Sequence, residues 1–180
     1  MKKSQIRKKI LEKRSRHIFR NIKINSSKLI KIISAKTSKK KIGLYYPINS
    51  EVSTLELINK LRIKEFIVSL PVIGKNFSME FYQWNEFIPL KINHLGIPEP
   101  LKTKKILPSI LIVPIVAFDT NLNRLGYGGG FYDRIINKYE AKEKILKIGL
   151  ALSCQKINKV PTNKFDKKMD IIFTENEVYT

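Results

Sequence analysis

The apolar positions of this chain follow two rhythms. Over residues 4–20 and 26–37 they recur at helical spacing among lysines and arginines. That predicts two basic helices, with Ile6, Ile10 and Ile18 roughly on one face of the first. "KIGLYYPI", residues 41–48, is a short apolar and aromatic run stopped by Pro47, and predicts a buried strand. "SEVSTLELINKL", residues 50–61, returns to the helical rhythm, with Ser53 and Glu56 at capping-box spacing ahead of Leu57, Ile58 and Leu61. "EFIVSLPV", residues 65–72, predicts a second strand. From Gly74 to Lys105 the pattern loosens: "MEFYQW" and "FIPLKI" read as shorter, partly exposed strands and "GIPEP" as a turn-rich stretch. "SILIVPIVAF", residues 109–118, is the most apolar strand. A helix over "GFYDRIINKY" (130–139) and strands over "ILKIGLAL" (145–152) and "DIIFT" (170–174) complete the chain.

Strand, helix and strand in alternation, with strands apolar throughout, suit a sheet covered on both faces. The expected fold is α/β: one domain over residues 1–180, with a mostly parallel open sheet and helices on both faces. A basic helical N-terminus would occupy about 1–38, and an irregular insertion or lid about 74–105. There is no internal repeat and no low-complexity linker.

Composition narrows the setting. The 43% hydrophobic content over 180 residues is ordinary for a globular domain. No apolar run is long enough to cross a bilayer, so no membrane association is expected. The N-terminal "MKKSQIRKKILEKRSRHIFR" has no apolar core segment and does not read as a secretory signal. The single cysteine, Cys154, has no internal disulfide partner, which fits a reducing, cytoplasmic location. A net charge of +20 points to a polyanionic partner. Lysine greatly outnumbers arginine, however, and isoleucine and asparagine are abundant. AT-rich codons would produce that bias, so the charge weighs little.

The densest chemistry lies in "RLGYGGGFYDR", Arg124–Arg134. Gly126, Gly128, Gly129 and Gly130 fall between a predicted strand and a predicted helix start. Glycines let backbone approach a phosphate closely. A helix start offers unpaired N–H groups and a positive dipole end, and Arg124 and Arg134 would add charge-assisted contacts. The segment is not a Walker A loop, because no Gly-Lys-Ser/Thr follows, and not a Rossmann fingerprint, because Phe131 replaces its last glycine. A plain strand-to-helix turn would need only one glycine. An RNA-binding segment would interleave the same residue types, but this one opens a helix rather than lying within a strand.

"VPIVAFDTNLNRLGYGGGFYDRII" resembles the signature of the 5-formyltetrahydrofolate cyclo-ligases, also called 5,10-methenyltetrahydrofolate synthetases. That signature is a strand ending in Ala-Phe-Asp, here Ala117, Phe118 and Asp119, then Arg-Leu-Gly-x-Gly-x-Gly-aromatic-Tyr-Asp, here Arg124 to Asp133. Lys3 and Arg7 match the family's N-terminal Lys-x-x-x-Arg, Tyr46 and Glu51 its aromatic and glutamate after the first strand, and Pro161 and Asp166 its Pro-x-x-x-x-Asp. Asn163 and Phe165 depart from it, standing where many relatives carry Glu and His. The resemblance implies ATP- and Mg²⁺-dependent closure of 5-formyltetrahydrofolate, with or without a polyglutamate tail, to the 5,10-methenyl form, through a phosphorylated formyl group. It also implies a ligase of one-carbon metabolism, acting as a monomer without nucleic acid.

The same resemblance implies the site. ATP would be bound by Lys3, Arg7, Arg124, Leu125, Gly126, Tyr127, Gly128, Gly129, Gly130, Phe131 and Tyr132. The folate would be bound by Tyr46, Glu51, Tyr127 and Phe131, with Phe118 assisting; Arg124 and Asp133 would be catalytic; Asp133 and Asp166 would hold Mg²⁺. Trp84, Met79, His17, His94 and Cys154 receive no role. Two other classes remain: a basic RNA- or ribosome-binding protein, favoured by the charge, and a different phosphate-binding α/β enzyme such as a sugar-phosphate isomerase. Neither accounts for the loop together with the terminal motifs.

Overall fold

The computed structural model describes residues 2–16 and 22–180; Ile18 and His17 lie outside them. Helix α1 (Lys3–Ser15) is followed by α2 (Ser26–Lys36), which Asn25 caps by accepting from the Lys28 N–H at 2.9 Å. Then come β1 (Lys41–Gly43), α3 (Leu55–Ile63), β2 (Ile67–Ile73), β3 (Met79–Gln83), β4 (Leu90–Ile92), β5 (Pro98–Pro100) and β6 (Lys105–Ile106). The C-terminal half holds β7 (Ile110–Pro114), β8 (Ala117–Phe118), β9 (Arg124–Leu125), α4 (Phe131–Glu140), β10 (Leu146–Leu150), β11 (Ile171–Phe173) and β12 (Val178–Tyr179).

The main sheet has the order β12-β11-β10-β7-β1-β2-β3-β6. Its five central strands, β11 to β2, run parallel, and β12, β3 and β6 add antiparallel edges. Along β7 the side chains alternate between two cores: Ile110 and Ile112 join Leu29, Ile33, Leu57 and Leu61 of α2 and α3, whereas Leu111 and Val113 join Ile135, Ile136 and Tyr139 of α4. Helices thus cover both faces, which is why the central strands read as unbroken apolar runs. A third cluster joins Ile6 and Ile10 of α1 to Val116, Ala117, Leu125 and Val160. It seats α1 over the hairpin β8–β9.

Several elements differ from the sequence reading. The first strand ends at Gly43; Leu44 still donates to Ser69 O at 2.9 Å, but the Tyr45 hydroxyl turns to Val52 O at 2.8 Å. Ser53 and Glu56 do not form a capping box. Thr54 is the N-cap and its hydroxyl donates to Tyr45 O at 2.7 Å, while Glu56 pairs with Lys60 at 2.8 Å. The run 109–118 divides after Pro114, which has no N–H to extend the ladder, and the chain turns out into the hairpin β8–β9. "GIPEP" contains β5, paired with β4: only Gly96, at φ +73°, makes the turn, and the prolines sit on a two-stranded edge that needs few donors. Within 74–105, β3 and β6 belong to the main sheet, and the β4–β5 hairpin stands apart from it.

Candidate active site

The parallel strands β1, β2 and β7 end together, where an open α/β sheet gathers its ligands. A cavity of about 820 Å³ opens there, with Tyr45 and Tyr46 after β1, Ile73 at the end of β2 and Pro114 at the end of β7 in its wall. Apart from Phe118, every residue that the resemblance assigns to the site lines this one cavity: Lys3, Arg7, Tyr46, Glu51, Arg124 to Asp133, and Asp166. They come from α1, the turn before α3, β9, the glycine loop, α4 and the loop before β11.

The glycine loop is the hub. Gly128 and Gly130 have φ +112° and +66°, conformations that favour glycine, and Gly130 is the left-handed N-cap of α4. The loop's carbonyls are engaged: Arg7 Nε donates to Gly126 O at 2.7 Å and Arg134 Nη2 to Gly129 O at 2.6 Å. Among the described residues, the N–H groups of Gly126, Gly128, Gly129 and Gly130 meet no protein acceptor. A Cβ on Gly126 would meet nothing within 4 Å, so that side of the loop faces open space.

Two polar clusters meet at the loop. In the first, Arg124, with only 3% of its side chain exposed, donates to Asp133 Oδ1 at 2.9 Å and to Lys167 O at 3.0 Å. The Lys167 N–H donates to the same Asp133 oxygen at 3.0 Å, and Asp166 beside it pairs with Lys3 at 2.6 Å. The Arg124 Nε is buried and has no partner among the described residues. In the second, Glu51 accepts from the Ile48 N–H at 3.0 Å, and the Tyr127 hydroxyl is close enough to act on its carboxylate electrostatically. Burial raises the Glu51 carboxyl, and the Ile48 N–H, Tyr127 and Arg14 act against that rise. Burial, and then the Glu51 charge, push Tyr45, Tyr127 and Tyr132 upward, so these phenols remain neutral donors. The Tyr132 hydroxyl is buried and has no partner among the described residues.

No cluster of three or more His, Cys, Asp or Glu side chains among the described residues is placed to cage a metal. Asp133 and Asp166 are joined through Lys167 and share one wall of the cavity. Mg²⁺ retains water and takes one or two carboxylates alongside substrate phosphates. The two aspartates fit an ion that arrives with a nucleotide, and each now carries a cation such an ion would displace or share.

A family model described as the 5-formyltetrahydrofolate cyclo-ligase family matches residues 1–175. The chain belongs to that family. Among curated relatives, a 5-formyltetrahydrofolate cyclo-ligase of Haemophilus influenzae is 39% identical over 71% of each chain. A probable 5-formyltetrahydrofolate cyclo-ligase of Schizosaccharomyces pombe is 31% identical over 99% of this chain and 97% of its own. Among solved structures, a 5,10-methenyltetrahydrofolate synthetase of Aquifex aeolicus aligns with a TM-score of 0.79 at 32% identity, covering 99% of this chain and 92% of the other. Its Mycoplasma pneumoniae counterpart aligns at 0.74 and 25% identity, covering 98% and 100%.

Sequence reasoning missed part of the wall. Ile73, Met79, Leu95 and Ile97 give it an apolar side, and Glu99, 2% exposed, closes it. These residues sit in the loosely patterned middle of the chain, where no periodicity marks a face. Arg14 carried a signal: it follows Ile6 and Ile10 at four-residue steps, on the buried face of α1. Phe118 does not assist; it is fully buried, edge-on to Tyr179 with ring centroids 5.2 Å apart, and is absent from the cavity wall. Asn163 and Phe165 line the cavity, and the Asn163 N–H donates to Asp166 Oδ2 at 2.7 Å. The backbone at 163 thus steadies Asp166.

Proposed function

We propose that this cavity closes 5-formyltetrahydrofolate to 5,10-methenyltetrahydrofolate by ATP-driven phosphoryl transfer. One observation carries the reading: a glycine loop whose N–H groups meet no protein acceptor among the described residues lies between a cationic cluster and a half-buried carboxylate, all in one cavity. A volume of about 820 Å³ is within the range of sites that enclose a drug-sized ligand, roughly 300–1,000 Å³.

The N-formyl group is an amide, with a weakly electrophilic carbon and an oxygen that leaves poorly. Transfer of the γ-phosphoryl group to that oxygen releases ADP and activates the carbon. N10 of the folate attacks the carbon and loses its proton, and phosphate departs to leave the methenyl product. The chemistry asks for positioning and charge stabilisation rather than a protein nucleophile. The N–H groups of the loop receive phosphate oxygens, and Lys3, Arg7 and Arg124 offset their charge. Asp133 and Asp166 would hold Mg²⁺, which would supply charge neutralisation at the phosphates. Glu51 accepts from the ring N–H groups of the pterin, and Tyr46, Tyr127 and Phe131 flank the ring. Among the described residues no helix is long and apolar enough to cross a membrane, in keeping with a cytoplasmic location.

The test is spectroscopic. Protein mixed with 5-formyltetrahydrofolate and Mg·ATP should develop the long-wavelength absorbance of the methenyl product, with one ADP formed per turnover. Full-rate turnover without nucleotide would overturn the phosphorylation route.

A further inference from the structure

Arg14, in the last turn of α1, is 2% exposed, and no carboxylate among the described residues pairs with it. Each nitrogen of its fork donates to a neutral group: Nε to Ser50 Oγ at 2.9 Å, Nη1 to Ile115 O at 3.3 Å and Nη2 to Tyr127 Oη at 2.8 Å. Its guanidinium carbon lies 5.6 Å from the centroid of the Tyr127 ring. Burying a cation on neutral partners is costly, and an aliphatic side chain would pack α1 at least as well, as Ile6 and Ile10 do on the same face. Stability alone gives no reason for it.

What Arg14 touches gives one. Ser50 precedes Glu51 in the chain, and the Tyr127 hydroxyl that Arg14 holds is the one that acts on the Glu51 carboxylate. By donating to the Tyr127 oxygen, Arg14 leaves the phenol proton to point at the carboxylate. We infer that Arg14 is a positioning residue for substrate recognition, holding Ser50 and Tyr127 so that Glu51 presents its oxygens to the ring N–H groups of the ligand. This rests on Glu51 being the pterin's partner. The groups acting on Glu51 are the Ile48 N–H, Tyr127 from the glycine loop and Arg14 from α1; its charge in turn acts on Tyr127, Tyr45 after β1 and Tyr132 from α4. The three phenols are neutral, so Arg14 is the cation that favours the charged carboxylate.

The test compares Arg14→Met, Arg14→Lys and Ser50→Ala with the parent, in steady-state kinetics for both substrates across pH 5.5–8.5. Arg14→Met should raise KM for 5-formyltetrahydrofolate about tenfold or more and leave KM for ATP within about twofold. It should also move the acid limb of the folate kcat/KM profile to higher pH. Arg14→Lys keeps the charge and loses the fork, so it should return the acid limb toward the parent without restoring affinity. Ser50→Ala removes one hydrogen bond outside the cavity wall, should fold normally, and should raise the folate KM alone by about threefold. In a Glu51→Gln background, Arg14→Met should add little to the folate KM. Equal rises in both KM values, an acid limb that stays in place, or full additivity with Glu51→Gln would overturn the inference. If Arg14→Met does not fold, Ser50→Ala decides: a folate KM equal to the parent's overturns it. Glu51→Gln on its own separates the two failures: if it leaves the folate KM unchanged, the reading of Glu51 has failed, whatever Arg14 does.

Discussion

Asp119 and Asp133 belong to the same sequence signature and have different duties. Asp119 is fully buried and closes the β8–β9 turn, accepting from the Asn121 and Asn123 N–H groups, the Asn123 side chain and the Val160 N–H. Asp133 lies in the cavity wall and accepts from Arg124. Arg124→Ala removes a preorganised donor for phosphate charge; loss of one such donor typically costs about 3 kcal/mol, a hundredfold or more in rate. It also strips Asp133 of its cation, so denaturant titration should show a loss of stability of about 1–3 kcal/mol. A folded variant within about twofold of parental turnover would refute the role. Glu51→Gln keeps shape and removes charge. It should weaken folate binding and barely change ATP binding, as calorimetry with each ligand would show. Its pH behaviour has a definite sign. The raised carboxyl binds its proton more tightly folded than unfolded, so it contributes most to stability at low pH. That contribution declines as pH rises from the ordinary carboxylate value, about 4.3, through the raised one. Denaturant midpoints for the parent and Glu51→Gln at several pH values across that window should show a shallower slope for the variant.

At the scale of elements, the loop and α4 act as one part. Left-handed Gly130 starts the helix, Asp133 in its first turn meets the positive dipole end, and Gly128 lies against Arg7, whose guanidinium carbon would be 3.4 Å from a Cβ there. A β-branched residue at φ +112° is strained and would press on Arg7. Gly128→Val should therefore lose ATP affinity per folded molecule as well as stability; a loop that only connects would lose stability alone. Asp133→Asn should fold, with circular dichroism like the parent's, yet need more Mg²⁺ for half-maximal turnover. An unchanged Mg²⁺ curve would remove Asp133 from the metal site.

At the scale of the molecule, the cavity lies between the carboxyl ends of the parallel strands and the β4–β5 hairpin. Leu95 and Ile97 from that hairpin line the wall. Glu99 ties the hairpin to the sheet: its Oε1 accepts from the Ile73 N–H and from Asn93 Nδ2, each at 2.6 Å. Glu99→Ala leaves those donors unpaired, so the hairpin should loosen and the folate KM rise several-fold. Proteolysis should find new cleavage within 85–97. A folate KM equal to the parent's, with no new cleavage, would show that the hairpin holds without Glu99.

The sequence by itself determined the α/β class, the sheet's main strands, both helix-covered faces and the family. Those follow from local periodicity and from one dense motif, which need no knowledge of distant contacts. It also named the loop and carboxylates that line the cavity, because glycines in series and a dense motif are local features of the chain. Only the tertiary structure decided where "SILIVPIVAF" breaks, since Pro114 marks an end only when a neighbouring ladder is known. Only the tertiary structure separated Phe118, a core residue, from the aromatics of the cavity. It alone brought Glu99 and Leu95 to the site, through a hairpin whose pattern is too irregular to place. It alone showed that Arg14, one basic residue among many on α1, is the one buried beneath Tyr127. Burial depends on what the rest of the chain packs against, and that is not written in any local stretch.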